Sequence, residues 1–238
     1  TTTAHAIGAW LQIKQNKKIL FLDLDQQSNL SYATGANSSG YSTLEVLVSG
    51  HLDIGKVQTT VSGYNVIPAS PMLASIDSVL AATGKEYRLK EALEEVSYYD
   101  FIVIDTPPSL NIITVNALTA SDYAVIPAQA DIFSLQGITQ LGQTIETIKK
   151  YTNPTLKVLG IILTRHNQRT ILSRDLQNVI ATTAKELHTK LYSQTIREAV
   201  AVKEAQAFKK DIFMYDPKST ATQDYDLLMS ELFKDMQS

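Results

Sequence analysis

The chain has 238 residues, is 44% hydrophobic, carries 21 Lys+Arg against 24 Asp+Glu for a formal charge of −3, and contains no cysteine. That length and apolar content can bury one large α/β core, while the missing cysteines exclude disulfides, thiolate metal sites and cysteine nucleophiles. There is no apolar run of about 18 residues and no signal-peptide pattern, so a cytoplasmic protein is expected, and the mild acidity leaves any nucleic-acid binding to a local patch or to oligomerisation.

The first residues, Thr1 to Leu11, read as helix, with Ile7, Trp10, Leu11 and Lys14 spaced i, i+3, i+4, i+7. An α/β domain rarely opens on a helix without a strand before it, so the chain is expected to be cut into at its start. Ile19-Leu20-Phe21-Leu22 then reads as a strand buried on both faces, delivering Asp23 and Asp25 to the rim where a parallel sheet meets solvent and binds ligands. Two carboxylates on a stiff strand end can hold a metal's water shell or orient an attacking water. Phe101-Ile102-Val103-Ile104-Asp105 repeats the pattern and should bring a third acid to the same rim.

Between these strands, Ser42 is an expected N-cap with Glu45 at capping-box spacing, and Tyr64 to Ala69 an expected strand stopped by Pro68. Periodicity predicts helices over 72–80 and 87–96, the second with a charged face from Glu91 to Glu95. After Asp105 comes a rigid Pro107-Pro108 exit, then a helix around Thr114 to Leu118. A buried strand from Tyr123 to Gln129, a long amphipathic helix over 134–151 and a strand over 156–163 follow. This alternation predicts a single doubly wound domain over 1–238, a mostly parallel sheet flanked by helices.

The run Thr1-Thr2-Thr3-Ala4, then an amphipathic helix, Lys17-Lys18, a buried strand and Asp23-Leu24-Asp25-Gln26-Gln27-Ser28-Asn29, resembles the ParA/Soj family of partition ATPases. The resemblance starts just after the lysine of that family's deviant Walker A loop. Asp105-Thr106-Pro107-Pro108-Ser109-Leu110 is similar to its Walker B segment, and the stretch from Ile196 and Arg197 to Lys203-Glu204-Ala205 to its later base-side segment and helix. The resemblance implies a P-loop nucleoside-triphosphatase fold with ATP or ADP and Mg²⁺ as cofactors. In it Thr1 would give its hydroxyl to Mg²⁺ and Thr2 would meet the α-phosphate. Asp105 would hydrogen-bond a magnesium water, with Pro107 beside it. Asp25 would orient the attacking water, and Asp23 would support the metal region. Thr164, Arg165, Ile196 and Arg197 would lie near the base. Without the glycines and lysines of the loop, the chain as written is expected to bind ATP poorly.

The same resemblance implies an ATP-dependent homodimer, association with nonspecific DNA on the nucleoid, and a ParB-like centromere-binding partner that stimulates turnover. The last third is the most basic part, and Arg169, Lys203, Lys209, Lys210 and Lys218 are the candidate DNA contacts, which a two-fold dimer would double. His166 invites a catalytic role, yet phosphoanhydride hydrolysis on such a scaffold does not use one. The final helix, 224–237, carries Tyr225, Leu228, Leu232 and Met236 on one stripe. With Asp224, Asp226, Glu231 and Asp235 against one lysine, it is expected to dock on its own domain, not on a membrane. An alternative from another class is a non-enzymatic receiver on a flavodoxin-like sheet, whose clustered Asp23, Asp25 and Asp105 bind Mg²⁺ and accept phosphate.

Overall fold

The computed structural model describes residues 1–166 and 171–237. The chain runs α1 (Thr2–Gln15), β1 (Ile19–Asp23), α2 (Asn29–Thr34), α3 (Thr43–Ser49), β2 (Gln58–Thr59), β3 (Asn65–Ile67), α4 (Ile76–Val79), α5 (Arg88–Leu93), β4 (Phe101–Asp105) and α6 (Ile112–Ala120). It continues through β5 (Tyr123–Ala128), α7 (Ile132–Tyr151), β6 (Lys157–Leu163), α8 (Ile171–Glu186), α9 (Val200–Ala207), α10 (Ile212–Tyr215) and α11 (Thr220–Gln237). Strands and helices alternate, as the hydrophobic periodicity predicts. The chain divides into two compact units, one of residues 1–121 with 203–215, the other of 122–202 with 216–238.

The first unit is built on β1, the only strand of its sheet with all five residues buried. The sheet order is β2-β3-β1-β4, with β1 parallel to both neighbours and only β2 antiparallel. Alternate β1 side chains serve opposite faces. Leu20 and Leu22 join an apolar cluster with Val46, Leu47, Ile67 and Ile113, whereas Phe21 meets α1 at His5 and Gly8. Burial of both faces accounts for the unbroken apolar run read from the sequence. α1 ends at Asn16, which takes the left-handed conformation suited to a helix stop.

Ser42 and Glu45 form the expected capping box at the start of α3, with Leu44 N donating to Ser42 Oγ and Ser42 N to Glu45 Oε2. The expected helix over 72–80 is replaced by a 3₁₀ turn, Pro71–Ser75, and the single-turn α4. Pro71 and the Ser70 cap favour a turn start, and the segment lacks the length that sustains a helix alone. The second expected helix shortens likewise to α5 after a 3₁₀ turn at Lys85–Tyr87, and on its charged face Glu91 pairs with Arg88.

In the second unit β5 and β6 pair in parallel, with a register irregularity between Ala124 and Val125. α7 begins two residues earlier than expected because Asp131 caps it, accepting from Ser134 N. α11 lies along β6 and buries Tyr225, Leu228 and Leu232, so the apolar stripe docks within its own unit. Its acids are not all solvated, since Asp224 is buried. Glu231 and Asp235 hold Lys190, and Asp235 also accepts from the Tyr192 hydroxyl.

A methyl group on Gly8 would sit 2.1 Å from Phe21 Cζ, in the middle of the α1–β1 contact. Gly8→Ala is therefore expected to lower stability by about 1–2 kcal/mol net, because overpacking a buried ring outweighs the helix-propensity gain. A shift of the urea midpoint to lower concentration checks this; a shift to higher concentration would mean that the contact is loose.

Candidate functional site

Parallel pairing places Asp23 and Asp105 in register as Cα partners at the ends of β1 and β4, so their backbones lie roughly 5 Å apart. Leu24 N donates to Asp105 O, holding the two strand ends together just past the register pair. The Thr1 backbone nitrogen stands 2.8 Å from Asp105 Oδ1. Thr1 O accepts from His5 N at the first turn of α1. Thr1, Asp23 and Asp105 thus lie together at one rim of the first unit.

The three acids have different surroundings. Asp23 is fully buried, and both its oxygens are occupied: Oδ1 accepts from Asp25 N, and Oδ2 accepts from Ser31 N and Ser31 Oγ at 2.8 and 2.7 Å. Ser31 Oγ in turn accepts from Ala69 N, and Thr43 Oγ1 donates to Asp23 O. Asp23 is therefore a scaffold acid, fixing the chain that follows it to α2, α3 and the end of β3. Asp25 accepts from Gln27 N through Oδ1, while its carbonyl accepts from Ser28 N. One backbone bond sets the rotation of the Asp25 carboxylate and leaves it acceptor capacity for a water. Ser28, at φ 55, takes a left-handed turn into α2. Asp105 Oδ2 is buried without a hydrogen-bond partner.

That orphaned oxygen bears on magnesium. A buried acceptor needs a donor, and a water on a bound Mg²⁺ is such a donor. Among the described residues no group of three His, Cys, Asp or Glu side chains is placed to hold a metal ion. The residues fit a hydrated ion touched through its waters.

In the second unit the expected base-side residues also converge. Ile196 N donates to Leu163 O and His166 N to Ile196 O, so Thr164, Arg165, Ile196 and Arg197 cluster at the end of β6. The charges there are already matched. Arg197 makes a two-pronged contact to the buried Asp224, Nε to Oδ2 at 2.8 Å and Nη2 to Oδ1 at 2.7 Å, and Arg165 pairs with Glu198. Lys190 is likewise held by Glu231 and Asp235 of α11, so three basic residues of the last third have carboxylate partners within their own unit. His166 shares a hydrogen bond with Gln177, in keeping with a structural role.

Of the candidate DNA contacts, Arg169 lies outside the described residues. Lys203, Lys209 and Lys210 are exposed residues of the first unit, and Lys218 is an exposed residue of the second. The ammonium of Lys209 sits 5.3 Å from the Tyr32 ring centroid. Lys209 has φ 54, and the bonds Lys209 N to Gln206 O and Lys210 N to Ala205 O close α9 in a Schellman stop.

Sequence reasoning missed Ser31, Thr43, His5, Tyr64, Asp211 and Gln206. Ser31 and Thr43 carry no spacing signal toward Asp23. The other four gather around α1, where His5 packs edge-on against Phe21 and Tyr64, and the Tyr64 hydroxyl donates to the buried Asp211.

The architecture is that of P-loop nucleoside-triphosphatases. Over its full length the chain superposes on 90% of cobyrinic acid a,c-diamide synthase from Mycobacterium smegmatis, crystallised with an ATP analogue and magnesium, with a TM-score of 0.83 and 29% identity. Residues 1–158 match the AAA domain family model. The chain is 38% identical over 231 residues to the sporulation initiation inhibitor protein Soj of Bacillus subtilis, covering 94% of this chain and 89% of that protein. It is 35% identical over 239 residues to the chromosome partitioning protein ParA of Caulobacter vibrioides, covering 98% and 88%. The chain belongs to the ParA/Soj family of partition ATPases. The receiver alternative falls with that assignment.

Two buried groups at this site titrate in opposite senses. Burial pushes the Asp23 carboxyl up from 3.8 to about 6, against the pull of the Ser31 hydroxyl and amide, and pushes the His5 imidazole down from 6.5 to about 4, against the nearby Asp211 and Asp105. Between about pH 4 and 6 the folded state keeps a proton on Asp23 that the unfolded chain releases, so stability falls as pH rises. Over nearly the same window the unfolded chain keeps a proton on His5 that the folded state refuses, so stability rises with pH. Each contribution is about 3 kcal/mol, and in the wild type they offset. In metal-free protein, Asp23→Asn is expected to gain stability on going from pH 4 to 6.5 by about 3 kcal/mol more than the wild type gains. Urea midpoints across that range check it; parallel curves would show that Asp23 is ionised throughout.

Proposed function

We propose that the chain is an ATP-dependent DNA-partitioning switch, in which a strand-end site in the first unit hydrolyses ATP to ADP and phosphate. The observation that carries the reading is the in-register pair of Asp23 and Asp105, with Thr1 beside them, in a chain of this family. The relatives named chromosome-partitioning proteins support the cellular role.

In this reading Thr1 would hold Mg²⁺ through its hydroxyl, and the unpartnered Asp105 Oδ2 would take a hydrogen bond from a metal-bound water. Bound magnesium would supply charge neutralisation on the phosphates. Thr2 stands at the α-phosphate, and Pro107 keeps the exit from β4 stiff and free of a competing N–H donor. Asp25, set by Gln27 N, orients the attacking water. Asp23 acts by holding Asp25, since its oxygens are filled by Asp25 N and Ser31. Within the second unit, Thr164, Arg165, Ile196 and Arg197 are the candidate base-side residues, with the Arg197 guanidinium fixed by Asp224. The nucleotide-bound protein forms a homodimer on nonspecific DNA in the cytoplasm, and a ParB-like partner stimulates its turnover. Among the described residues no helix is long and apolar enough to cross a membrane.

Asp25→Ala in the full-length protein should reduce ATP turnover by about 100-fold or more while leaving Mg-ATP affinity within about threefold, because the acid acts on the water and not on the ground-state nucleotide. Unchanged turnover in a steady-state phosphate-release assay would remove Asp25 from this role. The DNA assignment has a separate test at Lys209, where a non-glycine residue holds a left-handed turn. Lys209→Gly should keep the melting temperature within a few degrees, since relief of backbone strain of about 1 kcal/mol offsets the lost packing on Tyr32. The same variant should flatten the salt dependence of nonspecific DNA binding by about one unit of slope per protomer. An unaltered slope in a fluorescence-anisotropy titration would place the DNA surface elsewhere.

A further inference from the structure

Gln206, in the part of α9 that belongs to the first unit, places Nε2 2.9 Å from Thr2 Oγ1. The bond joins residues 204 positions apart and ties the start of α1 directly to the segment 203–215. Other contacts also hold that segment to the rest of the first unit. Ser62 Oγ donates to Lys209 O, and Tyr64 OH donates to Asp211 Oδ2 at 2.7 Å, with Asp211 itself buried. Between these anchors lies the Schellman stop at Lys209 and Lys210. Gln206, Lys209 and Asp211 are thus three fixed points on one short, internally bonded piece of chain.

The polarity of the Gln206 bond matters. An amide NH₂ can only donate, so Thr2 Oγ1 is the acceptor and keeps its own proton for another partner. A phosphoryl oxygen can only accept. A hydroxyl that receives from Gln206 is polarised to donate more strongly to such an oxygen. We propose that Gln206 is a positioning residue of the nucleotide site: it fixes the Thr2 hydroxyl as a donor to phosphate and ties nucleotide occupancy to the setting of residues 203–215, where Lys209 and Lys210 stand. The inference rests on the nucleotide reading given above and adds to it the regulation of the same site. Phosphate bound at Thr2 strengthens the bond to Gln206, and the strengthened bond stiffens the end of α9. Linkage makes the effect reciprocal, so a ligand that orders the 203–215 segment tightens nucleotide binding.

The test uses the full-length protein with Gln206→Ala and Gln206→Glu, both at a half-buried helical position that tolerates either residue. Mg-ATP affinity is measured by calorimetry, and amide hydrogen exchange at Phe208 and Lys210 is followed with and without Mg-ATP. Gln206→Ala frees the Thr2 hydroxyl to rotate and is expected to weaken Mg-ATP about threefold to tenfold. Gln206→Glu reverses the polarity, since a carboxylate takes the Thr2 proton for itself and adds negative charge, so the loss should be on the order of tenfold to a hundredfold. In the wild type, Mg-ATP should slow exchange at Phe208 and Lys210; in Gln206→Ala that response should be lost. A merely structural glutamine would make the two variants equal and leave the exchange response intact, which would overturn the proposal, as would wild-type affinity in both. A wild-type protein that fails to bind Mg-ATP would instead overturn the nucleotide reading, and this inference with it.

Discussion

The structure of the first unit depends on one buried carboxylate. Asp23 ends the most buried strand of the sheet, and a charge there is tolerable only because Asp25 N, Ser31 N and Ser31 Oγ all donate to it. Those donors are what fix the turn after β1 and the entry into α2, and through Ser31 they reach Ala69 at the end of β3. Burial nevertheless wins over the donors, holding the carboxyl at about 6. An acid so placed sits near its own titration point, in register with a second acid on the neighbouring strand. A cation or polarised water at that rim would lower the free energy of an ionised Asp23, in line with the proposed magnesium-nucleotide site.

The division of labour between the two aspartates of the Asp23-Leu24-Asp25 run follows from the same accounting. They are neighbours in sequence and could be exchanged in a motif-based argument. Their hydrogen bonds separate them: both Asp23 oxygens accept from its own chain, while Asp25 accepts through one oxygen from Gln27 N. The acid that builds the turn and the acid that can hold a water are distinct.

Much of this was legible in the sequence because it rests on local, periodic signals. The buried strand ending in Asp23, the repeat ending in Asp105, the capping box at Ser42 and the apolar stripe of α11 each follow from spacing within a dozen residues. What was illegible is nonlocal. No pattern announces that Ser31 serves Asp23, that Tyr64 serves Asp211, or that Gln206 reaches Thr2, since each depends on packing that brings distant segments together. Charge was the least reliable guide. No spacing in the sequence announces that Arg165, Lys190 and Arg197 each have a carboxylate partner in their own unit. The helix expected over 72–80 failed for the opposite reason, because Pro71 and the Ser70 cap favoured a tight turn over a weakly periodic run.

The central claim is that the ends of β1 and β4 and the start of α1 surround one metal-nucleotide site. Paramagnetic broadening of backbone amide resonances by Mn²⁺-ATP, substituted for the magnesium complex in the full-length protein, tests it most directly. The account predicts that broadening centres on residues 1–3, 23–28 and 105–107 and fades with distance from them through the first unit. Strong broadening confined to other residues, with these three stretches unaffected, would contradict it.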